Sequence, residues 1–267
     1  MVIKVWKQTF SMFKENPKVV VPFFIVGFMN ALALFVIYLA PQRPVSIVLA
    51  PIIRAFWGEQ YLHYPVNLSL VPKLYYFANI LIDTTIGVLM TGLAIGLVKD
   101  AYFDDESEKF SNFWFSIKKY LSLVTVWLII FGFSLLFTKL MGSIGFINSN
   151  PFLSAVVNYF GVILVQLFFL YPMVAIVIDK IGIFRALGVN FVFLFKNFIY
   201  SFLLVAIPAL LYIPVLVLQN NMQTLMKLFS PDVIVFVLGV GIFVILLINA
   251  LITVAPVILY LNKRKSN

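Results

Sequence analysis

Asp83 is the only acidic side chain inside a long apolar run, and Asn79 precedes it by one helical turn. The two would share a helix face, with Thr84 and Thr85 directly after them. An ionisable group in such a run is costly to desolvate, so Asn79 and Asp83 form the candidate intramembrane polar site, suited to a cation or a proton. The competing reading is structural. Asp83 lies ten residues beyond Lys73, near enough to an outer interface to reach water, and Arg54 would be its partner if the intervening loop folds back. His63 is the sole histidine, with Glu59 one turn before it. That spacing could present both to one metal, but no cysteine and no second histidine completes a nitrogen or sulfur set. A surface pair is the better reading, and no metal ligand is assigned.

A third group, Asp104, Asp105, Glu106 and Glu108, spells D-D-E-S-E between Asp100 and Lys109. It superficially resembles the aspartate-rich motif with which membrane prenyltransferases hold magnesium diphosphate. Those enzymes need a second acidic motif, which this sequence lacks, so a solvated loop or helix start fits better. A metal-dependent lipid-modifying enzyme built on this cluster is the least favoured alternative. Other chemistries fail by absence. One histidine cannot make H-E-x-x-H, and neither G-x-S-x-G nor G-x-x-x-x-G-K-[ST] occurs. Without cysteine there is no disulfide, thiolate site or cysteine nucleophile. The sequence thus assigns no catalytic residue and no cofactor, and the expected protein is not an enzyme.

Hydropathy sets the elements that must position these residues. The chain is 63% hydrophobic and 11% charged, whereas soluble domains carry roughly 45–50% apolar and about 25% charged residues. Lipid is the solvent that suits such a chain. Six apolar runs approach the roughly 20 residues a spanning helix needs. They cover about Val19 to Ala40, Leu74 to Val98, Tyr120 to Thr138, Phe152 to Ile178, Phe198 to Leu218 and Val233 to Leu261. They are continuously apolar rather than alternating, which favours helices over a barrel. The first run is too long for a signal-peptide core and has no small-x-small cleavage site, so it reads as a retained span.

Of the 19 lysines and arginines, five fall between odd and even runs: Arg43, Arg54, Lys73, Lys139 and Lys227. The rest lie at the two ends and between even and odd runs. Positive residues favour the cytoplasm, so both termini are expected inside the cell membrane. The formal net charge of +9 is accounted for by this flanking pattern, and no nucleic-acid partner is expected.

The inner segments resemble one another. W-K-Q-T-F-S-M-F-K-E-N runs from Trp6, F-S-N-F-W-F-S-I-K-K-Y from Phe110 and G-V-N-F-V-F-L-F-K-N-F from Gly188. Lys14, Lys118 and Lys196 align, and each segment leads into an odd-numbered span. They read as amphipathic interfacial helices, with rings in lipid and Lys14, Lys118, Lys119 and Lys196 at the headgroups. The even spans end alike at Lys99, Lys180 and Lys263, with Gly92, Pro172 and Pro256 seven or eight residues before. The whole chain, 1–267, is then one all-α membrane domain of three parallel repeats: 1–100, 101–180 and 181–267. Each repeat is an interfacial helix followed by a transmembrane hairpin.

Other positions carry local expectations. Pro51 would start a short helix in the first outer loop. Gly92 and Gly96 would permit a close helix approach, and Pro172, Pro208, Pro214 and Pro256 would kink their spans. Asn30, Thr91, Ser134, Asn158, Gln166, Asn249 and Thr253 would join helices by hydrogen bonds.

The basic-aromatic start running through F-K-E-N-P-K (Phe13 to Lys18), with its later counterparts, resembles prokaryotic six-span proteins similar to the membrane domain of glycerophosphodiester phosphodiesterases. The resemblance implies the six-span architecture. It implies no activity, because the catalytic barrel of the fused relatives is missing, and it transfers no site residue. The expected role is an accessory, scaffold or lipid-interacting membrane subunit. Its partners would be membrane lipids, anionic ones above all, and other membrane subunits. A transporter or channel using Asp83 is the main alternative.

Overall fold

The computed structural model describes residues 1–103, 109–145 and 149–265, and every described element is helical. Six helical stretches are long and apolar enough to cross a bilayer: Pro17–Tyr38, Val66–Phe103, Tyr120–Gly142, Pro151–Ile178, Phe198–Asn220 and Val233–Lys265. They support a multi-pass membrane protein. The second differs most from its hydropathy reading. It starts at Val66 rather than Leu74 and ends at Phe103 rather than Val98, 38 residues in all. Leu68, Leu70 and Val71 are buried, so packing carries the helix past the purely apolar window.

In chain order, α1 is Val2–Glu15, and span one continues as α2, Val21–Tyr38. A short α3, Ser46–Phe56, follows. Span two is α4, Val66–Ile82, a π-helical turn at Asp83–Gly87, and α5, Val88–Phe103. Then come α6, Lys109–Lys118, and span three, α7, Tyr120–Gly142. Span four is broken into α8, Pro151–Phe168, and α9, Tyr171–Ile178. Next are α10, Ile183–Lys196, and span five, α11, Phe198–Ala209, with α12, Ile213–Asn220. The chain ends with α13, Met222–Leu228, and the long span six, α14, Val233–Lys265.

Proline and glycine act at several of these joints. Pro172 opens α9 just past the break in span four, and Pro214 opens α12. Pro256, by contrast, lies inside an uninterrupted α14. The expected helix start at Pro51 is corrected: α3 begins at Ser46 with Pro51 inside it. It stops where Gly58 takes φ +100, a conformation glycine tolerates and other residues rarely adopt.

α1, α6 and α10 are separate helices. α1 buries Val5, Thr9 and Met12, and α10 buries Ala186, Asn190 and Leu194, in each case one stripe of the helix. Each helix stops just before its span. Asn16 (φ −127), ahead of Pro17, ends α1, since a residue before proline is driven from the helical region. Lys119 (φ −97) separates α6 from α7, and Asn197 (φ −125) separates α10 from α11.

The packing has a recurring order. Span one lies against spans two and six, span three against two and four, and span five against four and six. The segments α5, α9 and α14 also touch one another pairwise. α1 packs on α14, α6 on α5 and α10 on α9. The main core sits where these pieces meet. All of Tyr171–Ile178 and all of 254–261 are buried there, with Ala94, Ile95 and Val98 from span two. A smaller core, formed by Leu34, Ile37, Leu68, Val71, Ile234 and Ile242, closes the opposite end around spans one, two and six.

Candidate functional site

The intramembrane pair falls at the point where span two changes its helical form. Asp83 opens the π-helical turn, and Asn79 lies in the last turn of the regular helix before it. A π-turn inserts one extra residue per turn and re-aims the carbonyls beside it, a distortion common at functional positions. One such carbonyl, that of Thr84, accepts a hydrogen bond from the Tyr120 hydroxyl of α7 at 3.2 Å. Asn79 donates to Asn30 Oδ1 at 2.9 Å, and Tyr75 donates to the same oxygen at 3.3 Å. The Asn30 amide nitrogen returns to its own helix at Val26 O, 3.1 Å away. Asp83 follows Asn79 by one helical turn on the same helix face. The result is a polar chain from span one to span two that ends one turn from Asp83, itself half-buried.

Asp83 lies well along the helix from Lys73. Lys73 lies on the same helix, its Nζ 5.8 Å from the Trp57 ring centre. Ten residues at about 1.5 Å each put Asp83 roughly 15 Å further along the axis. Arg54 is not its partner. Arg54 instead meets Glu59 through two hydrogen bonds, one of 3.0 Å from Nη2. That contact raises the arginine pKa and lowers that of Glu59. Both side chains are more than half exposed, so the pair contributes little to stability. Glu59 therefore serves Arg54, and among the described residues no three His, Cys, Asp or Glu side chains gather in a metal-binding group. Asp104, Asp105, Glu106 and Glu108 lie outside the described residues.

The headgroup candidates sit at the ends of α1, α6 and α10. Lys14, Lys118 and Lys196 are exposed, while Lys119 is half-buried at the α6–α7 joint. Exposed rings accompany them: Phe10 on α1, Trp114 on α6 and Phe195 on α10. On α10 the exposed residues include Phe184, 91% exposed, Phe191, Val192 and Phe195, together with Arg185 and Lys196.

Sequence reasoning missed a second polar assembly, at the end of the bundle where α5, α9 and α14 converge. Tyr260 donates to Asp179 Oδ2 at 2.5 Å, and Arg264 contacts Asp179 Oδ1 at 2.5 Å. Tyr102 donates to Asn262 Oδ1 at 2.9 Å, and the Asn262 amide donates to Gln8 Oε1 at 2.8 Å. Four elements, α1, α5, α14 and the turn after α9, are tied by these contacts. Tyr171 stacks beneath, 4.6 Å from the Phe193 ring and 6.0 Å from that of Tyr260, and shares a 2.6 Å hydrogen bond with Ser201. The partners are separated by up to 254 positions, so no local spacing reveals them. The only trace in the sequence is that polar residues end each even span.

Comparison with known protein families, curated proteins and solved structures gives no match. The reading of the site therefore rests on its own geometry.

The other span polar groups mostly serve their own helices. Thr91, Ser134 and Thr84 return hydrogen bonds to carbonyls four residues back, and Asn158 reaches Ser154. Asn30 differs from these in joining spans one and two. Gly92 permits the expected close approach: a Cβ there would come within 2.7 Å of Leu123 and 3.2 Å of Ser116 Oγ.

Proposed function

We propose that this chain is a non-enzymatic membrane subunit that grips the inner leaflet of the cell membrane through three aromatic–lysine helices. The observation that carries the reading is the parallel placement of α1, α6 and α10. Each docks on the end of an even span and displays an exposed ring near its terminal lysine. In this reading the chain comprises three hairpins, 1–100, 101–180 and 181–267, each introduced by an interfacial helix, with both termini cytoplasmic. The cyclic packing order of the spans agrees with such a threefold unit, α1 closing the ring on α14. The six-span relationship to the membrane domain of glycerophosphodiester phosphodiesterases belongs to the same proposal and rests on the Phe13 to Lys18 motif. Docking of other membrane subunits would use the same apolar faces.

Basic residues near an anionic surface contribute on the order of 1 kcal/mol each. The protein reconstituted with mixed phosphatidylcholine and phosphatidylglycerol is expected to retain phosphatidylglycerol several-fold over its bulk share, read by native mass spectrometry. The combined change Lys14→Glu, Lys118→Glu and Lys196→Glu is expected to remove that enrichment, and raised salt to weaken it. Retention indifferent to charge and salt would discard the lipid role.

A second reading, transport of a small cation, is favoured by one specific observation: the carboxylate of Asp83 sits mid-span on a π-turn, one helical turn from the Asn79–Asn30–Tyr75 chain. On this reading Asp83→Asn lowers cation flux into proteoliposomes at least tenfold. Equal flux through both proteins removes Asp83 from any transport path.

A further inference from the structure

At the end of the bundle away from α1, the chain between spans five and six lines an open cavity of about 470 Å³. Its walls are apolar, with Leu225 of α13, Phe229 between α13 and α14, and Phe236 and Val237 of α14. Ser230 and Asp232 supply its polar groups. The volume falls within the roughly 300–1,000 Å³ common for small-molecule sites. Phe229 and Phe236 are largely exposed.

Asp232 is unusual in a chain so rich in cations. Its two carboxylate oxygens accept one hydroxyl each, from Tyr38 at 3.1 Å and Tyr64 at 3.2 Å. Among the described residues no lysine or arginine lies within 4.0 Å of it. Two neutral donors leave lone pairs free and the charge uncompensated. The start of α14 offsets part of that charge, but a half-buried carboxylate beside an apolar cavity still favours a cation. Tyr38 belongs to span one and Tyr64 to the first outer loop, so the carboxylate is held in place from two directions.

We propose that this cavity binds a membrane lipid with a primary ammonium headgroup, its ammonium on Asp232 and its chain against Leu225, Phe229 and Phe236. A primary ammonium can donate into the remaining lone pairs, whereas a trimethylated one has no N–H to offer. The site lies at the opposite end of the bundle from the lysine helices and does not depend on them.

The test uses the full chain reconstituted with equal phosphatidylethanolamine and phosphatidylcholine, with retained lipid counted by native mass spectrometry. At least fivefold preference for phosphatidylethanolamine is expected. Asp232→Asn keeps an acceptor for the tyrosines but removes the charge, and should bring the ratio close to one. Leu225→Trp, filling the cavity, should do the same, with the unfolding midpoint of each variant measured alongside. The variant lacking Lys14, Lys118 and Lys196 should keep the preference, which separates this site from the inner-leaflet role. Equal retention of the two lipids by the unaltered protein overturns the proposal. So does an undiminished preference in a folded Asp232→Asn protein.

Discussion

Asn190→Ala is expected to destabilise the protein by about 3 kcal/mol, the order of leaving two buried backbone groups unsatisfied. Asn190 is fully buried on α10, yet it serves span four. Its Nδ2 donates to Phe168 O at 2.7 Å, and its Oδ1 accepts from the Tyr171 amide at 3.1 Å. These are the carbonyl and the amide freed where α8 stops and α9 begins. A break inside a span is tolerated only if neighbouring side chains replace the lost backbone bonds. One asparagine does so from a different helix, and in doing so fixes α10 against α9. Equilibrium unfolding in mixed lipid–detergent micelles measures the loss. Asn150→Ala is the control. Asn150 caps the exposed start of α8 through Leu153 N at 3.1 Å, and its removal should cost about 1 kcal/mol or less. Equal effects from the two substitutions would show that Asn190 does not hold the break.

Gly161→Ala is the second large effect, and it acts through volume. A Cβ at Gly161 would lie 1.7, 2.3 and 2.4 Å from three ring atoms of Phe137, so α8 and α7 touch face to face there. Small residues at such contacts let transmembrane helices approach closely. The ring must turn or the helices must part, at about 1–3 kcal/mol for overpacking. Phe137→Leu should recover most of that loss in the double variant, because the two residues couple directly. Gly132 on α7 has nothing within 4 Å of its would-be Cβ, so Gly132→Ala should be neutral or slightly stabilising. If Gly161→Ala matches Gly132→Ala, the close α7–α8 contact is absent in solution.

Much of this fold is legible in the sequence because continuous apolar runs have few other solutions. Spans three to six begin within a residue of where hydropathy places them. The second span outruns its apolar stretch: Pro72 and Lys73 interrupt the run, while packing on Trp57 and span one keeps the helix going. The break in span four was visible only as Pro172, and nothing local links that proline to Asn190. Asp83 and Asn79 stood out because a carboxylate is rare in such a run. Their connection to Asn30 and Tyr75 is tertiary and invisible to spacing. The Asp179–Tyr260–Arg264 and Gln8–Asn262–Tyr102 contacts were hidden for the same reason. Each half looks like an ordinary polar span end.

The proposed topology places α1, α6 and α10 on the cytoplasmic side and the other loops outside. The absence of native cysteine makes it directly measurable. Single cysteines would be placed at Ser11, Lys118 and Gly188, and at Gln42, Gly145 and Gln223, all exposed positions. Each variant is then treated in intact cells with a membrane-impermeant maleimide. The account expects labelling of the second set alone, with the first set reacting only after lysis. Labelling of any of Ser11→Cys, Lys118→Cys or Gly188→Cys in sealed cells would contradict it.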